Sequence, residues 1–184
     1  MKIEKLKNYF LVAMPNLNDS IFKKSIVLLC EHNKEGSMGL IINKPMKAKE
    51  DQKTLINSFF NDSLLKTKLY FGGPVNLNTC FILHDSDYKT KETMKISKEL
   101  SLTSNKKIVN DLKKGQGPNT FRLNIGYAGW SRGQLEEEIK NGDWLLTPAS
   151  SKFIFNVPHQ KMWESSTNNF GLNIKDICGQ SGDA

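Results

Sequence analysis

Two apolar runs, Ile26 to Leu29 and Gly39 to Ile42, flank a polar stretch carrying Gly36, so that SIVLLCEHNKEGSMGLIINKP (25–45) reads as a β-hairpin with both strands largely buried. A glycine-containing loop of about five residues joins them. Pro45 has no N–H to give to a ladder and ends the second strand. Short apolar or alternating runs predict strands at Tyr9 to Met14, Ser25 to His32, Met38 to Lys44, Lys68 to Phe71, Thr79 to His84, Met94 to Ser97 and Thr120 to Tyr127, and a short one at Trp144 to Leu146. Helical spacing predicts helices at Thr54 to Phe60, Lys106 to Lys114, Gly133 to Lys140 and His159 to Phe170. A hairpin that coexists with strand–helix–strand connections, such as Thr120 to Leu146, requires a mixed sheet, which favours an α+β fold over a doubly wound one.

The clearest helix start is Ser131-Arg132-Gly133-Gln134, a capping box in which the serine hydroxyl takes the Gln134 amide hydrogen while the glutamine side chain reaches back. Glu136 to Glu138 then lie near the positive end of the helix dipole. Leu135 and Ile139 give one inward edge, and Asn141-Gly142 supplies the stop.

The 184 residues contain no Pro/Gly/Ser-rich linker, repeat or low-complexity tract, which makes 1–184 a single domain with a core that buries about 70% of the unfolded surface. Cys30, Cys80 and Cys178 are far apart and odd in number, so neither a disulfide framework nor a zinc ribbon is expected and a reducing compartment fits. The apolar run Phe10 to Met14 is too short for a signal-peptide core, and no window reaches the length of a bilayer span, so a cytoplasmic protein without membrane association is expected.

A net charge of +7 raises the question of nucleic acid, and between Lys89 and Lys114 eight lysines face three acids. Only Arg122 and Arg132 supply the forked guanidinium that reads guanine or clamps phosphate, and A-rich codons account for abundant lysine and asparagine. A solvated lysine face is the favoured reading, and direct nucleic-acid binding is not.

Candidate chemistry sits at strand ends. Gly129-Trp130-Ser131-Arg132-Gly133 is literally G-x-S-x-G, with Asp143 and His159 following in hydrolase order. Only a short helix separates Ser131 from Asp143, however, and the serine already serves as a cap, so the structural reading is preferred. Glycines 126, 129 and 133 match neither the dinucleotide nor the P-loop fingerprint. As strand residues, Cys30 and His32 would share a face, with Glu31 on the other; a metal or thiolate site with His84 or His159 is then geometrically possible, although a buried small cysteine is the simpler reading and no metal is assigned. Phe71-Gly72-Gly73-Pro74 reads as a sharp turn with bare backbone. Trp130, Trp144 and Trp163 read as core or rim aromatics.

Taken together, FLVAMPNLNDSIFKKSIVLLCEHNKEGSMGLIINKP (10–45), YFGGPV (70–75), FILH (81–84), GQGP (115–118) and GYAGWSRGQLEEEIKNGDWLLTPAS (126–150), with Ile154-Phe155, resemble the AlgH/YqgE family of bacterial proteins over nearly the whole chain. The resemblance implies a compact α+β domain whose large mixed sheet folds on itself between flanking helices. It also implies a cytosolic protein without an assigned activity that carries a transcriptional-regulator label. Ser131 falls at a variable slot of the family pattern, and the Gly182-Asp183-Ala184 tail has aspartate where histidine is expected.

The expectation is therefore a regulatory or interaction protein acting through a protein partner or small ligand. The alternative is a ligand-binding protein or enzyme with a pocket around Cys30, Glu31, His32, Asn43, Gly72, Gly73, Gly126, Trp130 and Gln134. The sequence assigns no cofactor and leaves enzymatic activity open.

Overall fold

The computed structural model describes residues 6–46, 54, 58–59 and 67–171. Nine strands form one sheet: β1 Tyr9–Ala13, β2 Ile26–Asn33, β3 Gly36–Ile41, β4 Leu69–Phe71, β5 Val75–Asp85, β6 Met94–Lys95, β7 Leu100–Thr103, β8 Phe121–Ser131 and β9 Trp144–Pro148. The helices fully within the described residues are α1 Lys106–Lys113, α2 Gln134–Lys140, α3 Ser151–Asn156 and α4 His159–Asn169. The order along the sheet is β6-β7-β5-β8-β3-β2-β1-β9, and β4 adds to β8 in parallel. All other pairings are antiparallel, so the sheet is mixed as expected.

The strands read as unbroken apolar runs because both faces of the sheet are covered. Alternate side chains point to opposite faces. In β1 and β2, Phe10, Val12, Ile26 and Leu28 enter one core with Ile154, Met162 and Trp163 of α3 and α4. Leu11, Ala13, Val27 and Leu29 enter a second with Trp130, Leu135 and Trp144. A third core lies where Leu123 and Ile125 of β8 meet Ile82 of β5 and Ile108 of α1. Trp163 locks α4 to the sheet by donating its indole N–H to Ala13 O at 2.7 Å.

The sheet curls at β8, which serves two neighbourhoods in turn. Residues 121–127 pair with β5, and 123–125 also pair with β4. Ala128 to Ser131 pair with β3. The change of neighbours falls at Gly126, whose φ is +68°. There Gly72 crosses, donating to Ile125 O at 2.7 Å and accepting from Ile41 N at 2.8 Å. A Cβ on Gly72 would lie 2.3 Å from Gly126 O, and one on Gly126 would lie 2.4 Å from Gly73 O, so backbone occupies the space that side chains would need.

Several expected elements are adjusted. The hairpin turn is only Lys34-Glu35 between the paired Asn33 and Gly36, because the Asn33 side chain accepts Glu35 N at 2.8 Å and closes a tighter turn. The second strand of the hairpin ends at Ile41, before Pro45, which makes only an isolated bridge to Tyr70. β5 begins at Val75, earlier than its apolar pattern indicates, since its first four residues are exposed. β8 continues through Ser131. The capping box forms by half: Gln134 Oε1 accepts Ser131 N at 3.0 Å, while Gly133, with φ +78°, is the N-cap and no side chain caps the helix. The sequence reading contains neither β7, where serine and threonine interrupt the apolar signal, nor α3, a six-residue helix opened by Ser150. The helix expected over Thr54 to Phe60 falls largely outside the described residues, as do Cys178 and the Gly182-Asp183-Ala184 tail.

Candidate functional site

A register slip in β2 determines what the hairpin presents. Leu29 pairs with Gly39, yet Glu31 pairs with Met38, so Cys30 is an extra residue bulged from the ladder. A bulge reverses the facing of everything after it. Cys30 and His32 therefore do not share a face. Cys30 stays in the α3/α4 core at 0% exposure, Glu31 turns to the Met38 side, and His32 is delivered to the side of α2. Desolvation pushes the Cys30 thiol up to about 12, which leaves it protonated and unreactive.

Glu31 borders an open cleft of about 590 Å³. Met38 from β3, Tyr127 from β8, and Val75 and Phe81 from β5 form its apolar floor. Phe81 and Tyr127 meet edge to face with centroids 5.8 Å apart. Glu31, Asn33 and Glu35 supply a polar rim with two carboxylates. Val75 is 38% exposed, and Leu77 beside it 48%, so apolar surface continues outward from the cleft. Of the pocket residues expected from sequence, Glu31 and Trp130 border this space, as do Gly129 and Ser131 of the G-x-S-x-G match. Trp130 does so with its indole packed against Phe22 and Trp144 in the second core.

The other expected residues are occupied elsewhere. Asn43 accepts Ile26 N at 2.8 Å and donates to Lys24 O at 2.9 Å, substituting for ladder bonds at the end of the hairpin. Gly72, Gly73 and Gly126 form the crossing of β4, β5 and β8 described above, filled by protein backbone. Gln134 is engaged with Ser131 N and donates to Glu138 Oε1 at 2.9 Å. His84 is buried between Asp85 O (2.6 Å) and Thr103 Oγ1 (2.9 Å), and burial lowers its pKa. His159 packs edge-on to Tyr70, with centroids 6.0 Å apart. Neither histidine joins Cys30. Ser131 is the last residue of a strand and has neither Asp143 nor His159 as a hydrogen-bond partner, so the G-x-S-x-G match has no triad behind it.

A different serine, histidine and carboxylate do come together. His32 Nδ1 lies 2.8 Å from Ser37 Oγ, and its Nε2 lies 3.8 Å from Glu136 Oε1. The His32 side chain is 4% exposed. Ser37 and His32 are opposed in the β2–β3 register, so this chain ties the hairpin to α2. Nothing in the spacing of Ser37, His32 and Glu136 announces it, because the bulge creates the juxtaposition.

Close by, Glu138 Oε2 accepts the indole N–H groups of both Trp130 and Trp144 at 2.8 Å each. On another strand, burial first, then the neighbouring Asp87 carboxylate, push Asp85 up to about 6, while hydrogen bonding to Asp85 holds Asp87 low. The lysine-rich segment is spread over β6, β7 and α1, where Lys107 pairs with Asp111 at 2.5 Å. Among the described residues no helix is long and apolar enough to cross a bilayer.

These features define a compact α+β protein built on one curled sheet, with an open, acid-rimmed aromatic cleft at the hairpin. The chain belongs to the AlgH-like family, whose sequence profile matches residues 10–175. A UPF0301 protein of Shewanella loihica is 34% identical over 99% of this chain and 100% of its own length, and one of Ralstonia pickettii is 37% identical over 97% and 95%. The solution structure of the AlgH protein from Pseudomonas aeruginosa superposes with a TM-score of 0.78 at 31% identity, covering 100% of both chains. A crystal structure of a Corynebacterium diphtheriae protein shares the fold, with a TM-score of 0.72 at 22% identity over 90% of this chain and 87% of that one.

Proposed function

We propose that this chain is a regulatory binding protein of the cytoplasm that acts through a protein partner, whose extended segment lies in the cleft between Glu31 and Tyr127. The carrying observation is the bulge at Cys30, which turns a carboxylate over an aromatic floor instead of burying it. Small ligands are usually held in enclosed pockets that bury most of their surface, whereas this cleft is open and its apolar surface runs on through Val75 and Leu77. Tyr127 and Phe81 are residue types that anchor interfaces. Glu31 and Glu35 favour lysine or arginine in the incoming segment and repel a phosphate backbone, so a regulatory effect would pass through that partner and not through direct DNA reading. The unpaired Cys30 and Cys80 thiols suit a reducing compartment.

A library of extended peptides selected on the wild-type protein tests this reading. Sequences pairing a basic with an aromatic or aliphatic residue should be enriched, and Glu31→Lys should weaken their binding about tenfold or more without loss of fold. Enrichment of acidic peptides, or retention by Glu31→Lys, would defeat it.

A second reading, hydrolysis, has one observation in its favour, the Ser37–His32–Glu136 chain. Against it, Ser37 faces Nδ1 and the carboxylate faces Nε2, the reverse of the usual relay, and the histidine side chain is buried. Labelling of Ser37 by a fluorophosphonate would revive it, and an unmodified serine would dispose of it.

A further inference from the structure

On the helix-covered face of the sheet, Arg122 of β8 is only 8% exposed, so more than nine-tenths of it is buried. A buried cation is normally matched by a carboxylate, because removing an unpaired charge from water is expensive. Among the described residues no carboxylate lies within ion-pairing distance of Arg122. Its Nη1 donates to Ile42 O at 2.7 Å, and its Cζ lies over the Tyr70 ring, 4.6 Å from the centroid. Those contacts use one of its five N–H donors and one face of its plane.

The surroundings add further positive character. Tyr70 also meets His159, the first residue of α4, with ring centroids 6.0 Å apart and the rings at 83°. The helix opens at Pro158 with no side-chain cap, so its first N–H groups are free of a protein carboxylate or hydroxyl. Lys68, exposed just before β4, acts with Arg122 on His159: burial first, then these two cations, lower the His159 pKa. Burial likewise pulls Arg122 below its ordinary value. A guanidinium and an imidazole at an uncapped helix start thus meet at one tyrosine ring, with the Lys68 ammonium acting on the imidazole, and among the described residues no carboxylate pairs with the guanidinium.

We propose that Arg122, Lys68, His159 and the opening turn of α4 form a binding site for a small anion, a phosphate or carboxylate group carried by a metabolite-sized ligand. A bound oxyanion takes the remaining guanidinium N–H bonds in the fork geometry that suits such groups. It also accepts from the helix start, where the dipole favours negative charge. The site is independent of the Glu31 cleft, which is acidic and built from different residues.

Titration of the full chain with inorganic phosphate, and separately with acetate, tests this by NMR at constant ionic strength set with chloride. Saturable shifts of the Arg122 Nε–Hε signal and the His159 ring are expected, together with a higher His159 titration midpoint in the presence of the anion. Arg122→Met should lower the affinity about tenfold or more, the loss of charge-assisted hydrogen bonds. Lys68→Met, at an exposed position, should lower it about two- to fivefold with the fold intact, and it decides the matter if Arg122→Met does not fold. Tighter binding of phosphate would identify a phosphorylated ligand, and tighter binding of acetate a carboxylic acid. Shifts that grow linearly without saturation, or equal affinities in wild type and Lys68→Met, would overturn the site.

Discussion

Glu138 shows how much a single side chain can hold here. One carboxylate oxygen satisfies two indole N–H groups on different strands, and both tryptophans are nearly buried, at 6% and 4% exposure. Glu138→Ala should therefore strand two donors and destabilise the protein by about 2–4 kcal/mol in urea unfolding. Asp85 offers a test in pH. Its carboxyl titrates near 6 when folded and near its ordinary 3.8 when unfolded, so the folded state binds the extra proton. Its contribution is thus fully present below the unfolded value and is lost as pH rises toward 6. Asp85→Asn should raise the thermal midpoint at pH 7 and leave it almost unchanged at pH 4, as differential scanning calorimetry would reveal. At this scale the sequence was a fair guide to what each residue is and a poor one to what it meets. Cys30 reads correctly as a small buried hydrophobe, whereas nothing local to Glu138 points to two tryptophans six and eight positions away.

Among the elements, the apolar runs identified most strands because both faces of the sheet are buried, and hydrophobicity alone marks such strands. The same reason explains the errors at their edges. The exposed start of β5 carries no apolar signal, and the end of β8 resembles a turn because Gly129 and Gly133 flank a polar serine. The bulge is the costliest omission for function. One unpaired residue in β2 exchanges the destinations of Glu31 and His32, and no residue type announces it. The glycine crossing was legible as bare backbone but not as the place where two parts of the sheet join. There Gly72→Ala should cost about 3 kcal/mol or more, since backbone must move to admit the methyl group. A denaturant midpoint for this variant near that of wild type would show that the crossing is looser than its distances indicate.

Across the whole molecule, charge and shape divide the surface. The chain is basic overall, yet its cleft is rimmed by two glutamates, while a buried arginine on another face has no counter-charge among the described residues. Overall charge therefore says little about either place. The cleft draws on residues from 31 to 131, and the Arg122 cluster on residues from 68 to 159, which is why neither could be read as a motif. The strand common to these distances is β8, paired to β3, β4 and β5 along its length. Neither part of the curled sheet can keep its hydrogen bonds without it, so loss of structure in one part should propagate to the other as a single cooperative event. In native-state hydrogen exchange the amides of Leu123 to Ala128 should open only with global unfolding, and their protection should report the stability of the entire protein.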